Sequence, residues 1–120
     1  MLKRAQVLKK KKEIELVLKK GKSVYSEVFS FKFLLNQSES PGLPKVAFLC
    51  SKKVFPKAIQ RNKAKRRMRH ILKDLFPEIS SEVWLVFFFK KEFLEKPFDW
   101  LKKQTENSLR RAGLLKGKKQ

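Results

Sequence analysis

Apolar residues recur along the chain at two spacings, and these spacings predict an alternation of helices and strands. Residues 2–20 predict a basic helix that ends at Gly21, a residue type common just after a helix. The lysines of this helix either are exposed to solvent or contact a partner. The apolar side of this helix is formed by Val7, Ile14, Val17 and Leu18.

Strict alternation follows in residues 24–35 and predicts a strand. One side of the strand carries Phe29, Phe31, Phe33 and Leu35. The other side carries Val28, Ser30, Lys32 and Leu34. Phenylalanines in register indicate a core, so the small and polar reverse side is the better nucleic-acid surface. The polar residues 36–44 predict a loop, and residues 45–51 predict a second strand antiparallel to the first.

The longest predicted helix follows, and Pro56 fits its first turn, where a missing N–H is no loss. One stripe of this helix is apolar and predicted to be buried: Ala64, Met68, Ile71, Leu72 and Leu75. The opposite face carries Asn62, Arg66, Arg69 and Lys73, with Lys65 on its flank and Arg61 near the edge of the apolar stripe. A rigid row of cations on a helix fits the phosphates of a nucleic acid.

Pro77 ends this helix, and residues 82–89 are apolar on both faces, which predicts a strand covered on both sides. This strand either pairs parallel to residues 45–51 or lies near them. A last helix is predicted to start near Asp99 and to run to Gly113. The predicted fold class is α+β: a single small α/β sandwich in the order α-β-β-(β)-α-β-α, with a mixed sheet and a βαβ crossover. Residues 1–113 are predicted to form one RNA-binding domain, and residues 114–120 a basic flexible tail.

The charge narrows the choice of partner. Lys and Arg number 31 against 11 acidic residues, a formal net charge of +20. Self-repulsion on this scale favours a polyanionic partner, which is RNA, DNA or an anionic membrane. No apolar run is long enough to span a bilayer and no signal peptide is visible, so we expect a soluble, cytoplasmic protein. Cys50 is predicted to be a buried thiol without a disulfide partner.

Residues for catalysis by the protein itself are missing from the sequence. Cleavage of a phosphodiester would need converging carboxylates for metal ions or a pair of histidines, yet residues 51–70 hold no acid and His70 is the single imidazole. One Cys and one His cannot form a zinc site alone. We therefore predict an RNA-binding subunit with no catalytic residue, no metal ligand and no cofactor bound by the protein alone.

The central basic stretch resembles the signature of the bacterial ribonuclease P protein component. That family carries an S-K-K run, a K-A-V-like step and an R-N-R-x-K-R-x-x-R helix. The matching residues here are Ser51-Lys52-Lys53, Lys57-Ala58-Ile59, Arg61-Asn62-Lys63-Ala64-Lys65-Arg66 and Arg69. The chain departs from the family at Lys63, Ala64 and His70, where Arg, a larger apolar residue and Glu are usual.

The resemblance implies a protein subunit of a ribonucleoprotein endonuclease that removes the 5′ leader from precursor tRNA. Its partners would be the ribonuclease P RNA, in a 1:1 complex with a protein monomer, and precursor tRNA. The chemistry and the Mg²⁺ would belong to the RNA subunit, and the crossover would be left-handed. Residues implied to dock the catalytic RNA are Lys52, Lys53, Lys57, Arg61, Asn62, Lys63, Lys65, Arg66, Arg69 and Lys73. Residues implied to line a cleft for the leader are Ile14, Ser30, Lys32, Lys65 and Arg69.

Three other functions remain open at this point. A non-catalytic, ribosome-associated RNA-binding protein would have the same composition. A DNA-binding helix would need a short paired helix before the basic one, where residues 45–51 predict a strand instead. A membrane-surface protein would need broad exposed apolar faces, whereas these apolar stripes are expected to pack on the sheet.

Overall fold

The computed structural model describes residues 7–8, 10–35, 44–79 and 83–115. Its helices are α1 (Lys11–Lys20), α2 (Ala58–Leu75) and α3 (Phe98–Arg111). Its strands are β1 (Lys22–Tyr25), β2 (Phe29–Leu34), β3 (Lys45–Leu49) and β4 (Trp84–Phe89). Short 3₁₀ helices follow α2 at Phe76–Glu78 and β4 at Lys91–Glu95. The predicted order of elements is confirmed, including the third strand before the central helix.

Strand β4 occupies an inner position in the sheet because its residues are apolar on both faces. The strand order is β1-β2-β4-β3, with β2 antiparallel to β4 and β3 parallel to it. The predicted mixed sheet and the parallel pairing of β3 with β4 are thereby confirmed. Strand β3 runs antiparallel to β2, as predicted, but the two strands do not pair, since β4 lies between them. In this central place, the backbone of the most apolar strand is paired on both edges, and its side chains are covered on both faces.

The two faces of the sheet pack against different helices. On one face, the phenylalanines of β2 and β4 pair in register, and the rings of Phe31 and Phe87 lie 5.1 Å apart. Buried side chains of α2 and α3 cover this face. On the other face, Val17 of α1 packs on Trp84 and Val86. The sheet is therefore the middle of three layers, and α1 and α2 lie on opposite sides of it.

The first helix is shorter than predicted: it begins at Lys11, not at residue 2. Val7 forms a parallel bridge with Val46, and the N–H of Leu8 donates to the Val46 carbonyl at 2.9 Å. The side chain of Leu8 is buried. These two apolar residues cover the open edge of β3, which satisfies backbone groups that a longer helix would leave unpaired. Residues 2–6 and Lys9 of the predicted helix lie outside the described residues.

The predicted strand 24–35 is two strands of a hairpin. Backbone pairing stops after Tyr25 and resumes at Phe29, and the N–H of Ser26 donates to the Phe29 carbonyl at 2.9 Å across the turn. Val28, predicted on the reverse side, is buried with the phenylalanines because it belongs to the turn and not to the alternating strand. Leu35, predicted on the core side, is 44% exposed.

Both predicted helix starts need small corrections. The N-cap of α2 is Lys57, so Pro56 precedes the helix and is not in its first turn. The N-cap of α3 is Pro97, and Asp99 lies in the first turn, where its carboxylate still interacts favourably with the helix dipole. For α3, the restricted Pro97 itself sets the extended backbone from which the helix begins.

The domain continues past the predicted boundary at residue 113. Gly113 has a φ of 75°, and the N–H of Leu114 donates to the Leu109 carbonyl at 3.0 Å, which together form a Schellman motif that ends α3. Leu114 is buried, and Leu115 bridges to Ile79. The first two residues of the predicted tail therefore belong to the domain, and residues 116–120 lie outside the described residues.

Gly21 provides a test of the packing between α1 and β2. Its backbone is extended, and a Cβ there would overlap the Val17 carbonyl oxygen of α1 and lie 2.9 Å from the Phe33 carbonyl oxygen of β2. We expect Gly21→Ala to lower the free energy of unfolding by about 1–3 kcal/mol through this overlap. Urea denaturation in sulfate buffer, which screens self-repulsion, measures the change.

Gly113→Asn is the matched control for Gly21→Ala. Asn tolerates the left-handed conformation, and no atom lies within 4 Å of a Cβ at this position. We expect its midpoint to stay close to that of the unmodified protein. A Gly21→Ala variant as stable as this control would contradict the close approach of α1 to the sheet.

Candidate nucleic-acid interface

Helix α2 separates an apolar stripe from a cationic face along its whole length. The predicted core residues are all buried: Ala64, Met68, Ile71, Leu72 and Leu75. Asn62, Arg66 and Lys73 on the opposite face are exposed. No acidic residue lies in the first turn of the helix. The helix therefore presents positive charge in a fixed direction, because its other side is held in the core.

We call the residues predicted to dock the catalytic RNA the basic face. Its exposed members are Lys52, Lys53, Lys57, Asn62, Lys63, Arg66 and Lys73. Its half-buried members are Arg61, Lys65 and Arg69. The ion pairs found among the described residues, Lys102–Asp74 and Arg110–Glu106, use none of these side chains. The cations of the basic face are thus not neutralised by those pairs.

The segment before α2 is anchored rather than loose. Ser51 starts it: its Oγ accepts the N–H of Lys53 at 2.9 Å, and its carbonyl accepts the N–H of Phe55 at 3.0 Å. Phe55 is buried in the main core. The sequence did not indicate this anchor, because the residue stands alone between basic residues without an alternating pattern around it.

Arg61 holds this segment against the helix. Its Nη1 donates to the carbonyls of Phe55 at 2.9 Å and Pro56 at 3.0 Å. The sequence predicted a guanidinium reaching out toward a partner, but the structure directs Nη1 back to the chain. Arg61 therefore positions the start of the basic face.

A cleft of about 210 Å³ lies at the β3 edge of the sheet, between α1 and α2; we call it the edge cleft. It brings together three of the residues predicted for the leader, namely Ile14, Lys65 and Arg69. The remaining lining residues are Val7, Leu8, Val46, Ala47, Phe48 and Leu49. An apolar floor with two cations on one rim can take a chain that has both flat apolar groups and phosphates.

Ser30 and Lys32, the other residues predicted for the leader, do not line the edge cleft. The Nζ of Lys32 donates to the Leu18 carbonyl at 2.8 Å, near the C-terminal end of α1. This contact satisfies one of the last carbonyls of the helix and complements its dipole. Ser30 is half-buried on β2, opposite Tyr25 and Phe88 in the register.

Arg69 links the basic face to the edge cleft. Its guanidinium carbon lies 5.9 Å from the centre of the Phe48 ring, within the range of a cation–π contact. Phe48 itself was missed as a site residue by sequence reasoning. The signal that could have identified Phe48 is its place in an alternating strand. Because that strand is an edge strand, one of its sides lies at the end of the core.

The pKa values of Cys50 and Asp74, both near α2, are shifted by their surroundings. Cys50 is half-buried, not buried as predicted, and burial raises the pKa of its thiol while the nearby charges of Lys65 and Arg61 oppose this. The hydrogen bond from Lys102 lowers the pKa of the Asp74 carboxyl. This contact ties α3 to the C-terminal half of α2 at 2.9 Å.

Within residues 7–8, 10–35, 44–79 and 83–115, no cluster of His, Cys, Asp and Glu could hold a metal ion. His70 is exposed on α2. In the same part of the chain, no helix combines the length and the apolar character that crossing a bilayer requires.

A mixed four-stranded sheet between α1 and the pair α2 and α3, with a cationic face on α2, defines a small basic α+β domain. The chain belongs to the ribonuclease P family, whose model matches residues 2–113. The ribonuclease P protein component of Symbiobacterium thermophilum is 32% identical over 114 residues, covering 95% of this chain and 96% of that protein. The resemblance seen in the sequence is thereby confirmed.

Solved structures share the fold. The RNase P protein of Staphylococcus aureus matches with a TM-score of 0.81 at 23% identity, covering 94% of this chain and all 100% of the other. The RNase P protein from Thermotoga maritima matches with a TM-score of 0.75 at 26% identity, covering 92% of this chain and 97% of the other.

The contacts of Arg61 separate it from the rest of the basic face. We expect Arg61→Ala to lower the free energy of unfolding by about 1–3 kcal/mol, because two backbone carbonyls lose a charged donor. The exposed Arg66 is the control, and its replacement by Ala should change stability by about 0.5 kcal/mol or less. Urea denaturation of both variants measures this, and equal stabilities would refute the clamping role of Arg61.

Proposed function

We propose that the chain is the protein subunit of a ribonucleoprotein endonuclease that removes the 5′ leader from precursor tRNA. The basic face binds the catalytic RNA, and the edge cleft holds the single-stranded leader. The observation that carries this proposal is the fixed direction of the basic face, set by the buried stripe of the same helix. Membership of the ribonuclease P family supplies the substrate and the reaction.

The basic face has the chemistry that a structured RNA requires. Exposed Lys and Arg side chains on a rigid helix neutralise phosphates and release condensed counterions. Arg66 and Lys73 are exposed and lie two turns apart on the same side of α2, so they follow a track rather than a single point. Such contacts set the orientation of the protein on the RNA without reading its sequence.

The edge cleft suits a single strand better than a duplex. Phe48 and Ile14 offer apolar surface to unstacked bases, and Lys65 and Arg69 stand where the backbone phosphates would pass. Arg69 belongs to both surfaces, so it would hold the leader next to the catalytic RNA. Cations placed between two polyanions also lower their repulsion, which reduces the Mg²⁺ concentration that cleavage needs.

The protein contributes binding rather than bond cleavage in this proposal. The described residues contain no cluster that could hold catalytic metal ions. His70, exposed on α2, has no second imidazole in the sequence to act with it. The hydrolysis and its Mg²⁺ are therefore assigned to the RNA subunit, in a complex of one protein with one RNA that forms in the cytoplasm.

A ribosome-associated RNA-binding role is the second candidate, because the basic face alone would serve any structured RNA. The edge cleft favours the first proposal, since a protein that only packs on folded RNA needs no groove for a single strand. A DNA-binding helix is disfavoured, because β3 and not a paired helix precedes the segment that leads into α2.

The double variant Arg66→Ala and Arg69→Ala tests the basic face. We expect weaker binding to the ribonuclease P RNA and a salt dependence whose slope falls by roughly 0.7–0.9 for each phosphate that is no longer neutralised. We also expect precursor-tRNA cleavage at low Mg²⁺ to fall toward the rate of the RNA alone. Filter binding across a salt series and a cleavage assay measure the two effects.

The control for this pair is Lys103→Ala, an exposed cation on α3 that lies outside the basic face. It should leave binding and cleavage close to those of the unmodified protein. An unchanged salt slope in the double variant would move the docking surface elsewhere. Full RNA binding without any gain in cleavage for the unmodified protein would favour the ribosome-associated role.

Neighbouring cations on α2 test the edge cleft. Lys65 lines the cleft and Arg66 does not, although each substitution by Gln removes one positive charge. We expect Lys65→Gln to lower the preference for leader-bearing over mature tRNA by roughly 10- to 150-fold, the effect of one charge-assisted hydrogen bond. Arg66→Gln should weaken binding of the catalytic RNA and keep the preference unchanged.

Both preferences are measured as ratios of dissociation constants on the assembled complex. If the two variants change the ratio equally, the leader does not run through the edge cleft. The proposed docking by the basic face would survive that result, because it depends on the affinity for the catalytic RNA.

A further inference from the structure

A second concave surface lies at the opposite edge of the sheet from the edge cleft. Its volume is about 790 Å³, and we call it the β1 pocket. It is formed by the end of β1, the β1–β2 turn and the C-terminal half of α3. Its lining residues are Tyr25, Ser26, Glu27, Gln104, Asn107, Arg110 and Arg111. Since β1 and β3 are the two edge strands, the pocket and the cleft are separated by three strand spacings, or about 14 Å of sheet.

Tyr25 is the unusual residue of this pocket. Its side chain is 70% exposed although its backbone is fixed in register with Ser30 of β2. The ring therefore contributes little to the core, while its position at the end of a paired strand is rigid. A large aromatic ring that is open to solvent and attached to a paired backbone is a stacking platform for a flat, unpaired base.

The α3 side of the pocket supplies hydrogen-bonding groups at helical spacing. Gln104, Asn107 and Arg111 follow one another at intervals of three and four residues, so they share one side of the helix. Arg110 is held by Glu106 at 3.0 Å, and Arg111 donates to the Ser108 Oγ at 3.3 Å. One nitrogen of each guanidinium makes these contacts, and each group has further N–H donors.

The opposite wall is the β1–β2 turn, and it is also held in place. The Nζ of Lys90 donates to the Ser26 carbonyl at 2.7 Å, which ties the turn to the end of β4. Glu27 is exposed on the turn and adds a carboxylate acceptor to the pocket. An aromatic ring, two amides, a carboxylate and two guanidinium groups thus face one space.

We propose that the β1 pocket binds an unpaired nucleotide of an RNA chain, with its base stacked on Tyr25. The amides of Gln104 and Asn107 and the carboxylate of Glu27 can pair with donors and acceptors on the base edge. Arg110 and Arg111 are placed for the phosphates. This site is separate from the basic face and the edge cleft, so it does not depend on the function proposed for them.

The mixture of charges favours a single unpaired nucleotide over other occupants. A duplex bound through its backbone needs cations without acids, and Glu27 would oppose its phosphates. A second copy of this chain would bring together two bodies with a formal charge of +20 each, which repel. A base edge, in contrast, carries both donors and acceptors and so uses the carboxylate and the amides.

Binding in the β1 pocket would add to binding elsewhere on the same RNA. Two sites at opposite edges of one rigid sheet share a single partner, so the second contact forms at a high effective concentration. An RNA that places an unpaired nucleotide at that distance would bind more tightly than one that does not. The pocket would then select among RNAs that the basic face alone treats alike.

Replacement of Tyr25 tests this site without changing any charge. We expect Tyr25→Ala to weaken binding of a short single-stranded RNA by roughly 5- to 100-fold, the range found when a base loses an aromatic stacking partner. Tyr25→Phe should retain the affinity, and the slope of affinity against salt should be the same in all three proteins. Fluorescence anisotropy with labelled oligonucleotides of each base type measures these effects.

The same variants in the Arg66→Ala and Arg69→Ala background separate the pocket from the basic face. Tyr25→Ala should have its full effect there, because the two surfaces do not overlap. Phe98→Ala, which removes another partly exposed aromatic ring outside the pocket, is the matched control and should leave affinity unchanged. Binding of the ribonuclease P RNA, precursor tRNA and mature tRNA then identifies which RNA supplies the nucleotide.

Folding of each variant is checked by circular dichroism and thermal melting, which Tyr25→Ala should leave unchanged since the ring is exposed. Equal affinity of Tyr25→Ala and the unmodified protein for every RNA would overturn the proposal. A change confined to self-association in sedimentation would also overturn it and assign the surface to a protein partner. Loss of pocket binding with an unaffected basic face would support the site and leave the proposed function standing.

Discussion

The apolar stripe of α2 against the phenylalanine face of the sheet is the contact on which the other features depend. Burying a Leu, Ile, Met or Phe side chain contributes about 1.5–3 kcal/mol, and α2 buries Met68, Ile71, Leu72 and Leu75. Like charges three or four residues apart on the exposed side cost only about 0.2–0.5 kcal/mol per pair. The burial therefore outweighs the repulsion, and a helix crowded with cations remains folded in one orientation.

Because α2 is held in one orientation, the basic side chains on it and near it fall into two kinds. Arg61 and Lys32 donate to backbone carbonyls, at the start of α2 and near the end of α1. Arg66 and Lys73 are exposed and free to meet phosphates. Arg69 lies between these groups because it touches Phe48 and also lines the edge cleft. A count of basic residues would treat all of these alike, whereas their contacts assign some to the fold and others to the proposed partner.

Local patterns predicted what is local in this fold. The spacing of apolar residues in α2 gave its buried stripe and, apart from the half-buried Arg69, its exposed face, because both follow from helix geometry alone. The alternation in β2 likewise gave the buried phenylalanines. Ile14, Lys65 and Arg69 were predicted to share a cleft only through the family resemblance, since they come from separate elements.

Non-local features were the ones that the sequence could not supply. Alternation fixes which side of a strand is buried but not which strand lies next to it, so the insertion of β4 beside β2 was missed. Val7 and Leu8 were wrongly predicted to be helical, because their pairing partner, Val46, is far along the chain. The β1 pocket was not predicted for the same reason. Tyr25 and the residues of α3 that line this pocket with it are far apart in sequence. In each case the missing information was a contact with a residue far away in sequence. The net charge of the chain points to a further partner, which is a separate molecule. A domain with a formal charge of +20 repels itself, so a polyanion that binds the folded state also stabilises it. Salt then acts in opposite directions: it screens the repulsion within the free domain, and it weakens contacts with phosphates.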